Sequence, residues 1–193
     1  MYPILACSVL VLAVTVERAI FFLRARGDDE GLARRVQSLV AGGAHDKAIE
    51  LCRGGCSPIA AALARVLENA HLDEDGLERA LERESSGLLE EMERHLKLLA
   101  VVAQAAPLMG LLGTVTGMIR SFMRVEEAAG AAGAALLAGG IWEALLTTAF
   151  GLFTAIPAML AYHYFEGRVD SAEGKMRRLA GGLAETVRRS PRI

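Results

Sequence analysis

The sequence predicts an all-α integral membrane protein: three transmembrane helices, with long helices extending into a cytoplasmic helical domain. Three observations carry this. Segments 4–23, 98–122 and 134–165 each reach the roughly 20 mostly apolar residues that a helix needs to cross hydrocarbon. Apolar residues elsewhere recur at helical spacing, and no stretch alternates with the period of two that marks a strand. Lys and Arg are unevenly placed: residues 24–97 hold eleven and residues 166–193 hold seven, whereas the connection between the second and third apolar segments holds only Arg124, with Arg120 just inside the second.

Basic residues beside spans mark the cytoplasmic side. The chain therefore divides into a first transmembrane helix over 1–23 with its N-terminus outside, a cytoplasmic helical region over 24–97, a second span over 98–123, an outer loop over 124–133, a third span over 134–165 and a cytoplasmic helical tail over 166–193. The first span carries Glu17 and Arg18 near its inner end, where long side chains can snorkel. A cleaved secretory signal would need a basic n-region. Met1–Tyr2–Pro3 offers none, so the segment is expected to remain as a span.

The region 24–97 reads as helical hairpins. Residues 30–40 have helical spacing and meet Gly42–Gly43, and residues 44–53 repeat the pattern and meet Gly54–Gly55. Ser57 is a candidate N-cap with Pro58 at the first helical position, opening a helix to about His71. Asp73 or Asp75 caps the next helix, whose stripe of Leu77, Leu81, Leu88, Leu89, Met92 and Leu96 faces a core. No breaker follows before the second span, so one continuous helix is expected to enter the membrane, with Pro107 as the place for a bend. The third span is expected to continue inward through the tail.

Several function classes are excluded. A net charge of −2 and 5% aromatics leave no basic patch interleaved with aromatics, and no nucleic-acid partner is expected. Phosphate-loop, nucleophile-elbow and zinc-protease motifs are missing, and no enzymatic activity is expected. Cys7 reads as a small apolar residue of the first span. Cys52 and Cys56, with His45 and His71 nearest, lack the further ligands of a zinc site, and a cytoplasmic disulfide is disfavoured. No metal and no cofactor are expected.

The second span contains Gly110, Gly113 and Gly117 in a small-residue motif that lets helix backbones approach closely in lipid. Thr114 and Thr116 can bond back to their own helix or line a wet cavity. In the third span Glu143 is the only charge between Ala128 and Phe165, His163 aside. An ionisable group at that depth is costly unless it faces water or a partner, and it marks a candidate proton relay. Gly140, Glu143, Thr147 and Thr154 fall on one face at steps of three, four and seven. Gly151, Pro107 and Pro157 complete the set of residues that shape helix packing. Two functions from different classes fit a carboxyl in this setting. It can exchange protons with either side of the membrane, or, kept protonated, it can cement a non-conducting structural scaffold. His163, at the inner mouth, reads as an interfacial structural residue, with a proton relay as the alternative.

Two blocks, APLMGLLGTVTGMIRSF (106–122) and GGIWEALLTTAFGLFTAIPAMLAYHYF (139–165), resemble the MotA/TolQ/ExbB proton channel family, and its ExbB/TolQ branch most closely. The resemblance is dense over the second and third spans and looser elsewhere, by topology and Glu17–Arg18. Three spans in 193 residues set the chain apart from the four-span MotA branch. The resemblance implies a multi-pass protein of the bacterial inner membrane whose 124–133 loop is periplasmic. It implies a pentameric homo-oligomer around an ExbD/TolR-like single-span dimer, working on a TonB- or TolA-like protein, with membrane lipid outside and protons as the coupling ion. By position it maps the family's membrane glutamate onto Glu143 and its channel threonines onto Thr114 and Thr148. The helix-face count selects Thr147 and the resemblance selects Thr148. Trp142 is bulkier than the small residue the family carries there.

Overall fold

The computed structural model describes residues 2–25, 27–127 and 133–189. Among them the chain forms seven helices and no strand: α1 (Tyr2–Arg24), α2 (Asp29–Ala41), α3 (His45–Arg53), α4 (Pro58–Glu68), α5 (Glu74–Glu93), α6 (Leu96–Glu127) and α7 (Gly133–Arg189). The predicted outer loop of 124–133 lies in part outside the described residues. The chain divides into two compact units, one of Met1–Glu17 with His95–Phe165 and one of Arg18–Arg94 with Glu166–Ile193.

The first unit holds the apolar lengths of α1, α6 and α7. Within it α1 buries Ile4 and Val11, seven residues apart, and leaves Leu5, Val9, Leu12 and Val16 exposed. On α6 the buried stripe is Leu96, Leu99, Val102, Ala106, Gly110 and Ser121, spaced by threes and fours and then by eleven, about three whole turns, as one helix face requires. On α7 it includes Ala144, Gly151, Ala155, Ala158 and Phe165. The large apolar side chains point the other way: Leu108, Leu112, Val115, Trp142, Phe153 and Leu160 are all exposed. Small residues inside and large apolar residues outside invert the pattern of a water-soluble bundle. So much continuous apolar surface needs lipid or further subunits against it. Among the described residues three helices are long and apolar enough to cross a membrane.

The second unit is built on α4, where seven of eleven residues are buried. Its neighbours α2, α3 and α5 pack around it, and side-chain caps start α2, α4 and α5. Asp28 accepts the Gly31 amide (2.9 Å), Ser57 accepts that of Ala60 (3.1 Å) with Pro58 following, and Asp73 accepts that of Gly76 (3.1 Å). Between Asp73 and Asp75, the cap is thus Asp73. α2 ends where Gly43 adopts φ 77°, letting the Ala44 amide reach the Leu39 carbonyl at 2.9 Å, the glycine-terminated helix end expected of a residue without Cβ. The α7 tail buries Val169, Met176, Ala180, Leu183 and Val187, and this stripe carries it straight through Gly181–Gly182. Arg178 pairs with Glu30 at 2.7 Å, and Lys175 with Asp29 at 3.9 Å. Burial pushes the Cys52 thiol up to about 11, whereas Cys56, four residues on, is exposed.

One expectation is corrected. No continuous helix runs from residue 76 into the second span: α5 stops at Glu93 and α6 starts at Leu96. The cause is Arg18. Arg18 is 3% exposed; its guanidinium stacks 4.7 Å from the Phe21 ring centroid and donates to the carbonyls of Glu91 (3.1 Å) and Met92 (3.3 Å). In an unbroken helix those carbonyls would take the amides of His95 and Leu96. Arg18 therefore does not snorkel; it caps α5. In the first unit His95 takes φ 67°, a left-handed conformation costing about 1–2 kcal/mol for a residue with Cβ, and its Nδ1 lies 3.4 Å from Glu17 Oε2.

Two measurements check this account. Arg18→Met strips one buried and one part-buried carbonyl of a charged donor and should lower stability by about 2–3 kcal/mol, read as a lower melting temperature in detergent; an unchanged melt would refute the capping role. In a Cys7→Ala background at neutral pH, maleimide should modify Cys56 rapidly and Cys52 only after unfolding, since the thiolate is the reactive form. Equal rates at the two positions would contradict the burial of Cys52.

Candidate functional site

Within the first unit α6 and α7 meet along an antiparallel ladder of small residues. A Cβ added to Gly151 would lie 2.7 Å from the Ala106 carbonyl and 3.1 Å from Gly110 Cα, and one on Gly110 would lie 3.0 Å from Thr148 Cα. Gly113 faces Thr147, Gly117 faces Ala144, and Gly140 faces Ser121. Each rung is backbone against backbone or against a one- or two-carbon side chain. Dispersion and close packing hold such a seam where lipid removes the hydrophobic drive.

The Ser and Thr hydroxyls of these helices between residues 110 and 154 are satisfied. Thr148 Oγ1 donates across the seam to the Gly110 carbonyl at 3.0 Å. Thr147 turns onto its own helix at the Ala144 carbonyl (2.7 Å) while lying against Gly113. Thr114 bonds the Leu111 carbonyl (2.7 Å), Thr116 that of Leu112 (2.9 Å), and Thr154 that of Phe150 (2.9 Å). Both threonines that the sequence left as alternatives thus stand at the seam, and Thr148 is the one that crosses it.

Glu143 is placed differently. Its neighbour Ala144 is buried against Gly117, and one residue is about 100° of helix rotation, so Glu143 stands beside the seam. It is exposed, and among the described residues its carboxylate has no hydrogen-bond or ion-pair partner in the protomer. Pro107 and Pro157 both lie within unbroken helices, Pro107 half-buried and Pro157 exposed. Arg120 and Arg124 are exposed towards the end of α6. His163 stacks edge-on against Tyr162, ring centroids 5.2 Å apart. Among the described residues no cluster of His, Cys, Asp and Glu is placed to hold a metal.

Sequence reasoning overlooked Ser121, which is 2% exposed, packs against Gly140 and bonds the Gly117 carbonyl at 2.9 Å. The signal was present: Ala106, Gly110, Gly113, Gly117 and Ser121 continue one small-residue stripe at steps of three and four.

The pattern of the MotA/TolQ/ExbB proton channel family matches residues 56–178, across the whole of α6 and the membrane length of α7. The chain belongs to this family. A Tol-Pal system protein TolQ of Haemophilus influenzae is 41% identical over 98 residues, covering 51% of this chain and 42% of that protein. A Synechocystis protein named ExbB-like 1 is 35% identical over 170 residues, covering 84% and 65%. The biopolymer transport protein ExbB of Xanthomonas campestris is 36% identical over 129 residues, covering 67% and 46%. The chain thus spans from under half to about two thirds of the length of these relatives. Family membership and the apolar exterior together identify a membrane protein.

The seam makes a paired prediction. Gly151→Ala drives a methyl into the Ala106 carbonyl and should cost about 1–3 kcal/mol by overpacking, whereas Gly139→Ala, with nothing within 4 Å of the new Cβ, should not destabilise. Melting temperatures of the two variants in the same detergent decide it; an equal fall in both, or in neither, removes the seam as the reason for glycine at 151.

Proposed function

We propose that this chain is the proton-conducting large subunit of an inner-membrane motor that converts proton motive force into mechanical work for biopolymer transport or envelope maintenance. The observation that carries the reading is Glu143: one acid in the apolar length of α7, exposed and, among the described residues, unpartnered in the protomer. A carboxylate so placed costs several kcal/mol in lipid, so the face beside the α6–α7 seam is one that other subunits and water must cover. A homo-oligomer supplies that cover, and a pentamer is the assembly the family resemblance favours. Its lumen would receive the single membrane helices of an ExbD/TolR-like dimer, and a TonB- or TolA-like protein would take up the work. The names TolQ and ExbB borne by the relatives support this placement.

The mechanism follows from solvation. A carboxyl wetted from a lumen takes a proton from the outer side and, neutral, tolerates low dielectric until it meets water on the inner side. Protons are the coupling ion, and no cofactor is required. Thr148 can hold the register of α7 against α6 while Glu143 cycles, because its bond goes to a backbone carbonyl that never titrates. Thr114 and Thr147 can rotate their hydroxyls from their own helix towards a water file. The skewed distribution of Lys and Arg supports a cytoplasmic location for residues 24–97 and 166–193 and a periplasmic one for 124–133.

The deciding experiment is Glu143→Gln in the complete complex. Gln keeps the shape and can still bond, so the assembly should keep its mass in native mass spectrometry, while proton flux into vesicles and energised transport in cells fall to background. Full transport by the Gln variant would instead identify Glu143 as cement in a non-conducting scaffold.

A further inference from the structure

Glu143 shares its side of the α6–α7 pair with a cation, Arg120. The rungs Gly117–Ala144 and Ser121–Gly140 set the two helices antiparallel. Glu143 precedes Ala144 and Arg120 precedes Ser121, so each stands about 100° back along its own helix from a seam position. In an antiparallel pair, positions displaced in the same sense come out on the same side of the seam, where the flanking side chains of paired helices meet. The heights agree as well. Glu143 and Arg120 both lie between these two rungs, about 3 Å from each other along the helix axis. Both are exposed, and among the described residues neither has an ion-pair partner. The other charges of the unit are less well placed. Arg124 is one turn further from Glu143, and Glu127 stands beyond Arg124, nearer to it than to Arg120. Glu126 is turned about 120° away from Arg120, and the described part of α1 carries no charged side chain before Glu17.

We propose that Arg120 is a positioning residue of the proton pathway: across a water on this open side it holds the ionised Glu143 carboxylate, and so fixes where the proton is taken up. A water joins two polar groups nearly as well as a direct bond, and charges lining a narrow lumen are screened less than charges in bulk solvent. A proton arriving through water adds to a carboxylate oxygen of Glu143. The side chain is then neutral, the hold of Arg120 lapses, and the acid turns away until it gives the same proton to water on the other side. Charged again, it returns to Arg120. One O–H bond forms and one breaks, and the guanidinium keeps its own protons throughout. This rests on the proton-conducting reading above and adds the group that brings Glu143 back to its loading position.

The test uses the complete complex in vesicles and reads proton flux, oligomer mass and the infrared carboxylate bands that vanish in Glu143→Gln. Arg120→Gln should keep the mass, shift those bands and lower flux about tenfold, the worth of one charge-assisted contact. Arg124→Gln, an equally exposed arginine one turn on, should change neither flux nor bands. Unmoved bands or undiminished flux in Arg120→Gln, with flux abolished by Glu143→Gln, overturn the role of Arg120 and leave the proton reading standing. Equal effects of the two arginine variants make both interfacial anchors and overturn it too. Undiminished flux in Glu143→Gln overturns the proton reading and the role of Arg120 together. Should Arg120→Gln fail to assemble, Arg120→Lys decides. It keeps the charge and should assemble and conduct, with the bands still moved because an ammonium has replaced the planar guanidinium; unmoved bands there overturn the proposal.

Discussion

The close approach of α6 to α7 is the constraint from which the membrane unit follows. Two helices in lipid gain nothing from hiding apolar surface from each other, so they hold together only where atoms touch at van der Waals distance along their length. The rungs Ala106–Gly151, Gly110–Thr148, Gly113–Thr147, Gly117–Ala144 and Ser121–Gly140 provide that contact. A seam without long side chains has little freedom to slip. With Ala144 set against Gly117 and Thr148 bonded to Gly110, the rotation of α7 is fixed, and with it the direction in which Glu143 points.

That direction sets a solvation problem the protomer leaves to its surroundings. Between residues 110 and 154 every hydroxyl on the two helices has an acceptor: Thr114, Thr116, Ser121, Thr147, Thr148 and Thr154 each find a carbonyl. These groups can face lipid at modest cost. Glu143 cannot, because a carboxylate requires donors or water and the protomer supplies neither among its described residues. A charge a helix cannot satisfy for itself constrains the assembly around it.

How much of this was legible beforehand depends on how local the cause is. The starts of α4 and α5 were readable because Ser57–Pro58 and Asp73 act on amides three residues away. The end of α5 was hidden because the residues around Arg94 and His95 include no glycine or proline, and the group that stops the helix, Arg18, lies 73 residues back from Glu91. Ser121 was readable as one more step of the small-residue stripe, since a serine bonded back to its own helix packs nearly as closely as a glycine. Thr147 and Thr148 could not be separated from one helix alone. Adjacent residues differ by about 100° of rotation, and only the position of Gly110 decides which hydroxyl crosses.

The same bookkeeping of partners separates two kinds of charge that look alike in the sequence. Arg18 interrupts the apolar run of α1 as Glu143 interrupts that of α7, and hydropathy alone treats both as anomalies. Arg18 is buried, bonded to two backbone carbonyls and stacked on Phe21; its desolvation is offset within the protomer, and its effect is to end a helix. Glu143 is exposed and, among the described residues, without a partner there. A buried charge bonded within its own chain has one stable state and holds structure in place. A charge at membrane depth that must find its counterpart in water or in another chain can gain and lose that counterpart, and a proton-driven device needs a group able to change in that way.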